Sequence, residues 1–212
     1  MPVSIFTKNA LLTNISPQLE TKTRVIYNCF DAPFLSADNE YRREILTVCL
    51  ASRVNTLYIK GVDFFIEVAR ALPELSFSVV GPHGEAYNFL METKPDNLNV
   101  IKPLSHDELQ QTLLRSKIIC QFSRHEAFGL ALLEGIASGC FPIGYDFGGT
   151  AEILQHTQNT LISKLDVEEA KSRLRFALSA DAEMMKTIQN QVLPRFSCAL
   201  RQQQLRQIIY SD

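Results

Sequence analysis

The sequence predicts an α/β chain built on a Rossmann-like, doubly wound parallel sheet, with helices on both faces and extra helices at the C-terminus. Short β-branched runs alternate with amphipathic segments of helix length. The runs are almost continuously apolar, the pattern of strands whose two faces are both covered. Beyond Asp166 the strands stop, and consecutive helical stretches continue to the end of the chain.

Residues 1–23 have weak periodicity and receive no assignment, which leaves 24–212 as one domain. Its first expected strand is Arg24–Asn28, a short run containing Val25 and Ile26. Further strands are expected at Leu46–Ala51, Ser76–Gly81, Leu98–Ile101, Lys117–Phe122, Cys140–Gly144 and Thr160–Ile162. Between them, helices are expected at Gly61–Ala71, Glu85–Thr93, Ser105–Leu114, Gly129–Ser138 and Gly149–Gln155. From Ala127 to Tyr145 the chain carries a single charge, Glu134. Gly129, Gly135, Gly139, Pro142 and Gly144 punctuate that stretch into helix, turn and buried strand, so it does not read as a membrane span. The closing helices are Asp166–Ser179, Ala182–Val192 and Cys198–Tyr210, with Pro194 separating the last two.

Composition narrows the function classes. With 212 residues, 46% hydrophobic and 21% charged, the chain has the profile of one soluble globular domain. A net charge of −2 supplies no basic field for nucleic acid or an anionic membrane. The five cysteines, Cys29, Cys49, Cys120, Cys140 and Cys198, form no C-x-x-C pair, so reduced thiols packed as small hydrophobes are the expected state. That pattern points to the cytoplasm, and the N-terminus lacks the basic-then-apolar plan of a signal peptide.

In an open parallel sheet, ligands bind beyond the carboxyl ends of the strands. There the sequence places Ser52 and Arg53 with Lys60-Gly61, then Gly81-Pro82-His83-Gly84, then Ser123 to Gly129, then Tyr145 to Thr150. None of these loops is a G-x-G-x-x-G dinucleotide loop or a P-loop, and the histidines have no metal-ligand spacing. Glu134 stands mid-helix among Leu132, Leu133 and Ile136, on a stripe with Ala127, Ala131 and Ser138 that leaves room beside the carboxylate. A buried carboxylate must meet donors. Either the vicinal hydroxyls of a ribose or sugar supply them, or a distant arginine does, or the residue lies exposed at a helix edge. Glu126 precedes an expected helix start at Phe128-Gly129-Leu130, whose free amides suit a diphosphate or carboxylate. It is alternatively an ordinary acidic residue near a helix N-terminus. Arg53 and Lys60 are either a pair of cations for a leaving diphosphate or solvated surface charges.

The stretch from Ser123 to Ile143, with Glu126 and Glu134 eight apart, Phe128-Gly129 after the first glutamate, Ala137-Ser138-Gly139 and Pro142, resembles the E-x7-E region of retaining GT-B glycosyltransferases, family 4. Gly148-Gly149 fits the same pattern. Val25 to Asp31 is similar to the family's I-x-N-G-V-D entry into its C-terminal domain, with Cys29 where glycine is usual. Ser52-Arg53 with Lys60-Gly61 resembles its diphosphate-binding pair at a slightly longer gap, and Phe122-Ser123 stands where Pro-Ser is usual. Val79-Val80-Gly81 resembles its V-G-x-G loop, and Arg195-Phe196-Ser197 the start of its closing helix.

The resemblance implies one half of a GT-B fold, the donor-binding domain. It implies that Glu134 holds ribose hydroxyls, that Glu126 contacts the donor sugar, and that Arg53 and Lys60 stabilise the departing diphosphate. Phe128, Gly129 and Leu130 would bind sugar or diphosphate, Ser52, Gly81, Ser123 and His125 would line the site, and Pro103 and Leu104 would lie near the base. The implied function is transfer of a sugar, with retention, from a nucleotide-diphosphate-sugar to a saccharide or lipid acceptor. No metal or other cofactor is expected. Family members are about twice as long, so the expected partner is an N-terminal acceptor domain or a separate acceptor-binding protein. The alternative is a non-catalytic nucleotide-sugar-binding or regulatory subunit, and a further one is an unrelated Rossmann-like module with a structural Glu134.

Overall fold

The computed structural model describes residues 1–30 and 44–210. Six strands, β1 (Glu44–Ala51), β2 (Phe77–Pro82), β3 (Leu98–Ile101), β4 (Ser116–Gln121), β5 (Phe141–Tyr145) and β6 (Leu161–Ile162), form one sheet. Their order is β3-β2-β1-β4-β5-β6 and every pairing is parallel. β1 is central, with Ile45 opposite Phe77 on one side and Ile118 on the other. The continuous apolar runs have the cause expected of them, since helices cover both faces of the sheet. β2 is buried along its whole length, and Phe64 meets Phe122 edge-on at 5.0 Å while Phe65 meets Phe77 at 5.4 Å.

The helices in chain order are α1 (Ile5–Asn14), α2 (Val54–Ile59), α3 (Val62–Arg70), α4 (Gly84–Thr93), α5 (His106–Arg115), α6 (Leu130–Ala137), α7 (Gly148–Leu154), α8 (Val167–Leu178), α9 (Ala182–Val192) and α10 (Cys198–Tyr210). Several starts are fixed by local chemistry. Ser105 accepts from the Glu108 amide, while the Glu108 carboxylate accepts from the Ser105 amide at 2.8 Å. Asp166 and Asp181 cap α8 and α9 through Oδ1, accepting from the amides of Glu169 and Met184 at 2.9 and 2.8 Å. No helix among the described residues is long and apolar enough to cross a membrane.

Four features depart from the sequence reading. Residues 24–28 are not a strand; Ile26 N–H donates to the Pro2 carbonyl, and further on Phe30 N–H donates to the Phe196 carbonyl, so this segment bonds to the N-terminal residues and to the turn before α10 rather than to the sheet. The unassigned N-terminus contains α1, opened by a reciprocal Ser4–Thr7 capping box, and a 3-10 turn over Pro17–Lys22. The short helix α2 was not anticipated. Finally, Cys29 and Cys198 form a disulfide with Cα atoms 4.8 Å apart, where reduced thiols were expected. Residues 27–30 run beside the closing helices, with Tyr27 edge-on to Phe196 at 5.3 Å and Arg201 donating to the Asn28 side chain at 3.2 Å, and this brings the two sulfurs together. Cys49, Cys120 and Cys140 are buried thiols outside the disulfide, as anticipated, and Cys140 Sγ donates to the Leu113 carbonyl at 3.1 Å. Asp31, the last residue of the entry motif, lies outside the described residues.

Candidate functional site

The strand order reverses direction between β1 and β4, so the crevice beyond their carboxyl ends is the natural ligand position. β1 delivers Ser52 and Arg53, both exposed, with Arg53 as the residue that opens α2 and Lys60 as the one that closes it. Gly61 then turns the chain at φ +69°, pressed so close to β4 that a Cβ there would lie 2.0 Å from the Phe122 carbonyl oxygen. This contact carries Lys60 over the end of β4. Arg124 and His125 stitch the two loops together, their amides donating to the Ile59 carbonyl at 2.8 and 3.4 Å. The Arg124 guanidinium grips both Asp63 oxygens at 2.7 and 2.9 Å and lies 3.9 Å from the Tyr58 ring centroid.

The result is a polar cluster on one carboxylate oxygen. Glu126 Oε2 accepts from Lys60 Nζ at 2.8 Å, from Gln121 Nε2 at 2.8 Å and from Ser123 Oγ at 3.4 Å. The Glu126 side chain is 13% exposed and that of Lys60 is 31%, so the pair is shielded on the carboxylate side and open on the ammonium side. The Glu126 backbone is fixed as well, its carbonyl accepting from the Gly149 amide at 2.9 Å. Among the described residues no donor reaches Glu126 Oε1. Beneath the cluster, burial pushes the Cys49 thiol up to about 11, with Lys60 pulling it down less strongly, so the thiol stays protonated.

Gln121 was not anticipated as a site residue. Its only signal in the sequence is a polar residue at the end of an apolar run, two before Ser123 and five before Glu126. Its Oε1 is buried and has no hydrogen-bond partner among the described residues, facing Gly129, where a Cβ would lie 2.9 Å from that oxygen.

Glu134 occupies the second turn of α6, half-buried, and burial raises its carboxyl above the usual range, with His106 at the start of α5 acting against the shift. Among the described residues its carboxylate meets no hydrogen-bond donor or arginine. His106 follows the loop of Pro103, which is exposed, and Leu104, which leans on the core. Gly81, at φ +110°, lies against the backbone of Cys49. The loop after it is tied to β1, with His83 and Ala86 amides donating to the Ala51 and Ser52 carbonyls at 2.9 and 3.1 Å.

α6 starts one residue later than expected, at Leu130, with Gly129 as its cap and no side chain capping it. Phe128 and Ala127 therefore lie ahead of the helix. The Phe128 ring is buried on Phe196 at 5.3 Å and so anchors the loop, while Leu130 is exposed. His125 is exposed, its ring near those of Phe6 and Phe147 at 5.7 and 6.1 Å. No cluster of three metal-ligating side chains occurs among the described residues.

Solved structures place this architecture. The whole chain superposes on 62% of Anabaena HepE, solved in complex with UDP and glucose, with a TM-score of 0.78 at 16% identity. That likeness shows the fold, a Rossmann-like domain of the GT-B type. Residues 42–192 match the model of the glycosyl transferases group 1 family, and the chain belongs to that family. Among its relatives is a phosphatidylinositol N-acetylglucosaminyltransferase subunit from Arabidopsis thaliana, 29% identical over 154 residues, which cover 68% of this chain and 33% of that one. An uncharacterised glycosyltransferase of Methanocaldococcus jannaschii is 25% identical over 191 residues, covering 88% of this chain and 51% of that one. The chain thus spans about a third to a half of these relatives' length.

Proposed function

We propose that this chain is the donor-binding half of a retaining hexosyltransferase, holding a nucleotide-diphosphate-sugar in the crevice between β1 and β4. The observation that carries the proposal is the shielded Glu126 cluster at the strand-order reversal, with one oxygen committed to Lys60, Gln121 and Ser123. In this reading Glu126 Oε1 accepts a hydroxyl of the donor sugar. Glu134, half-buried and in need of donors, takes the ribose hydroxyls. Arg53 and Lys60, at the two ends of α2, draw the diphosphate and stabilise its charge as the sugar–oxygen bond breaks. The uncapped amides at the start of α6 assist them. Ser52, Gly81, Ser123 and His125 line the pocket, Phe128 and Gly129 shape the loop, and Leu104 and Pro103 border the base. No metal is needed where two cations perform this neutralisation. A saccharide or lipid acceptor comes from a partner domain or partner protein, a role consistent with relatives that are themselves named as subunits. Cytoplasmic action is part of the proposal, and there Cys29 and Cys198 would be held as thiols.

Thermal-shift measurement against UDP-, GDP-, ADP- and dTDP-sugars tests the reading. One nucleotide class, well above its dissociation constant, is expected to add about 2–4 kcal/mol of stability. Glu134→Ala is expected to fold and to lose that gain. A gain that persists in Glu134→Ala, or no gain with any nucleotide, refutes the assignment. A bound donor that is never transferred when an acceptor domain is supplied would favour the non-catalytic role instead.

A further inference from the structure

We infer that Gln121 is a positioning residue that divides the labour between the two oxygens of Glu126 and thereby sets the preference of the site for a sugar-bearing nucleotide. The inference rests on the donor-site reading above. Three donors, Lys60 Nζ, Gln121 Nε2 and Ser123 Oγ, converge on Oε2, and none among the described residues reaches Oε1. The three are not equivalent. Lys60 is the more exposed member of its ion pair, and an incoming diphosphate competes for its charge. Ser123 is the longest contact at 3.4 Å. Once Lys60 turns to the diphosphate, the Gln121 amide is the short hydrogen bond that still holds the carboxylate in place.

The orientation of that amide is fixed by its neighbour. Reversed, the carboxamide would set its carbonyl oxygen against the Glu126 carboxylate. In the orientation present, the cost falls elsewhere, on a carbonyl oxygen buried beside Gly129 without a partner among the described residues. A residue selected for stability alone would carry no such defect; leucine would fill the same space without it. The unpaired acceptor therefore marks a residue kept for its donor end.

The test uses calorimetric titration of the protein with UDP and with UDP-N-acetylglucosamine, in wild type, Gln121→Leu and the isosteric Gln121→Glu. Among the described residues, the ionisable groups at this cluster are Glu126 on the loop and Lys60 at the end of α2, with the Cys49 thiol in β1 coupled to both. Gln121→Leu is expected to keep UDP affinity within about twofold of wild type, to lower the preference for the sugar nucleotide at least about fivefold, and to melt no lower than wild type. Gln121→Glu is expected to lose the preference at about pH 8, where two carboxylates face each other. It is expected to regain it, relative to wild type, near pH 5, where a shared proton restores a donor. A structural role would lower the melting temperature and move both affinities together. Equal losses for both ligands, unchanged preference in Gln121→Leu, or no recovery of Gln121→Glu at low pH overturns the inference. Failure of wild type to bind either nucleotide instead overturns the donor-site reading itself.

Discussion

Glu134 lies in α6 with its carboxyl raised by burial and only partly offset by His106. A carboxyl whose folded value exceeds its unfolded value binds its proton more tightly when folded. Its ionisation therefore costs stability as pH rises above the ordinary glutamate value of 4.5, and the cost disappears as pH falls back below it. Glu134→Gln removes that cost. The expected outcome is a ligand-free variant that melts above wild type near neutral pH, with the gap closing in acid, while nucleotide affinity falls about tenfold, or ~1.4 kcal/mol. Melting curves across pH together with titrations read both effects, and a variant less stable than wild type at neutral pH would return Glu134 to a purely structural role. Glu134 and Glu126 stand out in the sequence, the first as a lone acid within an apolar stretch and the second as an acid just ahead of an expected helix start. Gln121 was not, because one polar residue at a strand end has no pattern around it, and its meaning comes only from a carboxylate brought 2.8 Å away by the loop.

Most of the elements that were read correctly have a buried face, α10 being an exception that buries no residue fully. The strands that pair into the sheet and the helices α3 and α8 announce themselves through residues that must leave water. α1 buries none of its residues fully, so no stripe marks it. α2, at six residues, is too short to display a helical period. Residues 24–28 look like a strand because β-branched side chains suit any extended backbone, and Ile26 is buried whether or not a ladder forms. Yet α2 is the element on which the site depends, since it separates Arg53 from Lys60 and ends in the turn at Gly61. Gly61→Ala places a methyl group against backbone at a positive φ, and a loss of stability on the order of 3 kcal/mol is expected in urea unfolding. Unfolding at wild-type urea concentrations would mean that the α2–β4 junction gives way at little cost.

For the whole molecule, the parallel sheet followed from the alternation of strand and helix, whereas the strand order with its reversal at β1 and β4 and the closure of the chain on itself did not. Two of the five cysteines sit far apart in sequence, and spacing carries no information about a pair that only the path of residues 27–30 beside α10 brings together. Purified without reductant, the protein is expected to yield three thiols on denaturation in a colorimetric assay, from Cys49, Cys120 and Cys140, and five after reduction. Reduction is expected to lower stability by roughly 2–5 kcal/mol. Five thiols without reductant would mean that the bond does not form.

The bond between Cys29 and Cys198 also makes nearly the entire molecule a closed loop, with α1 before it and most of α10 beyond. A protease that cuts one exposed turn within the loop, such as the Gln155–Asn159 stretch between α7 and β6, changes the topology of the chain but not its covalent unity. The cut protein runs as a single species until a reductant divides it, whereas a cut ahead of Cys29 frees the N-terminal helix from the backbone at once, leaving it held only by contacts such as the paired bonds of Ile5 and Phe6 amides to Glu152.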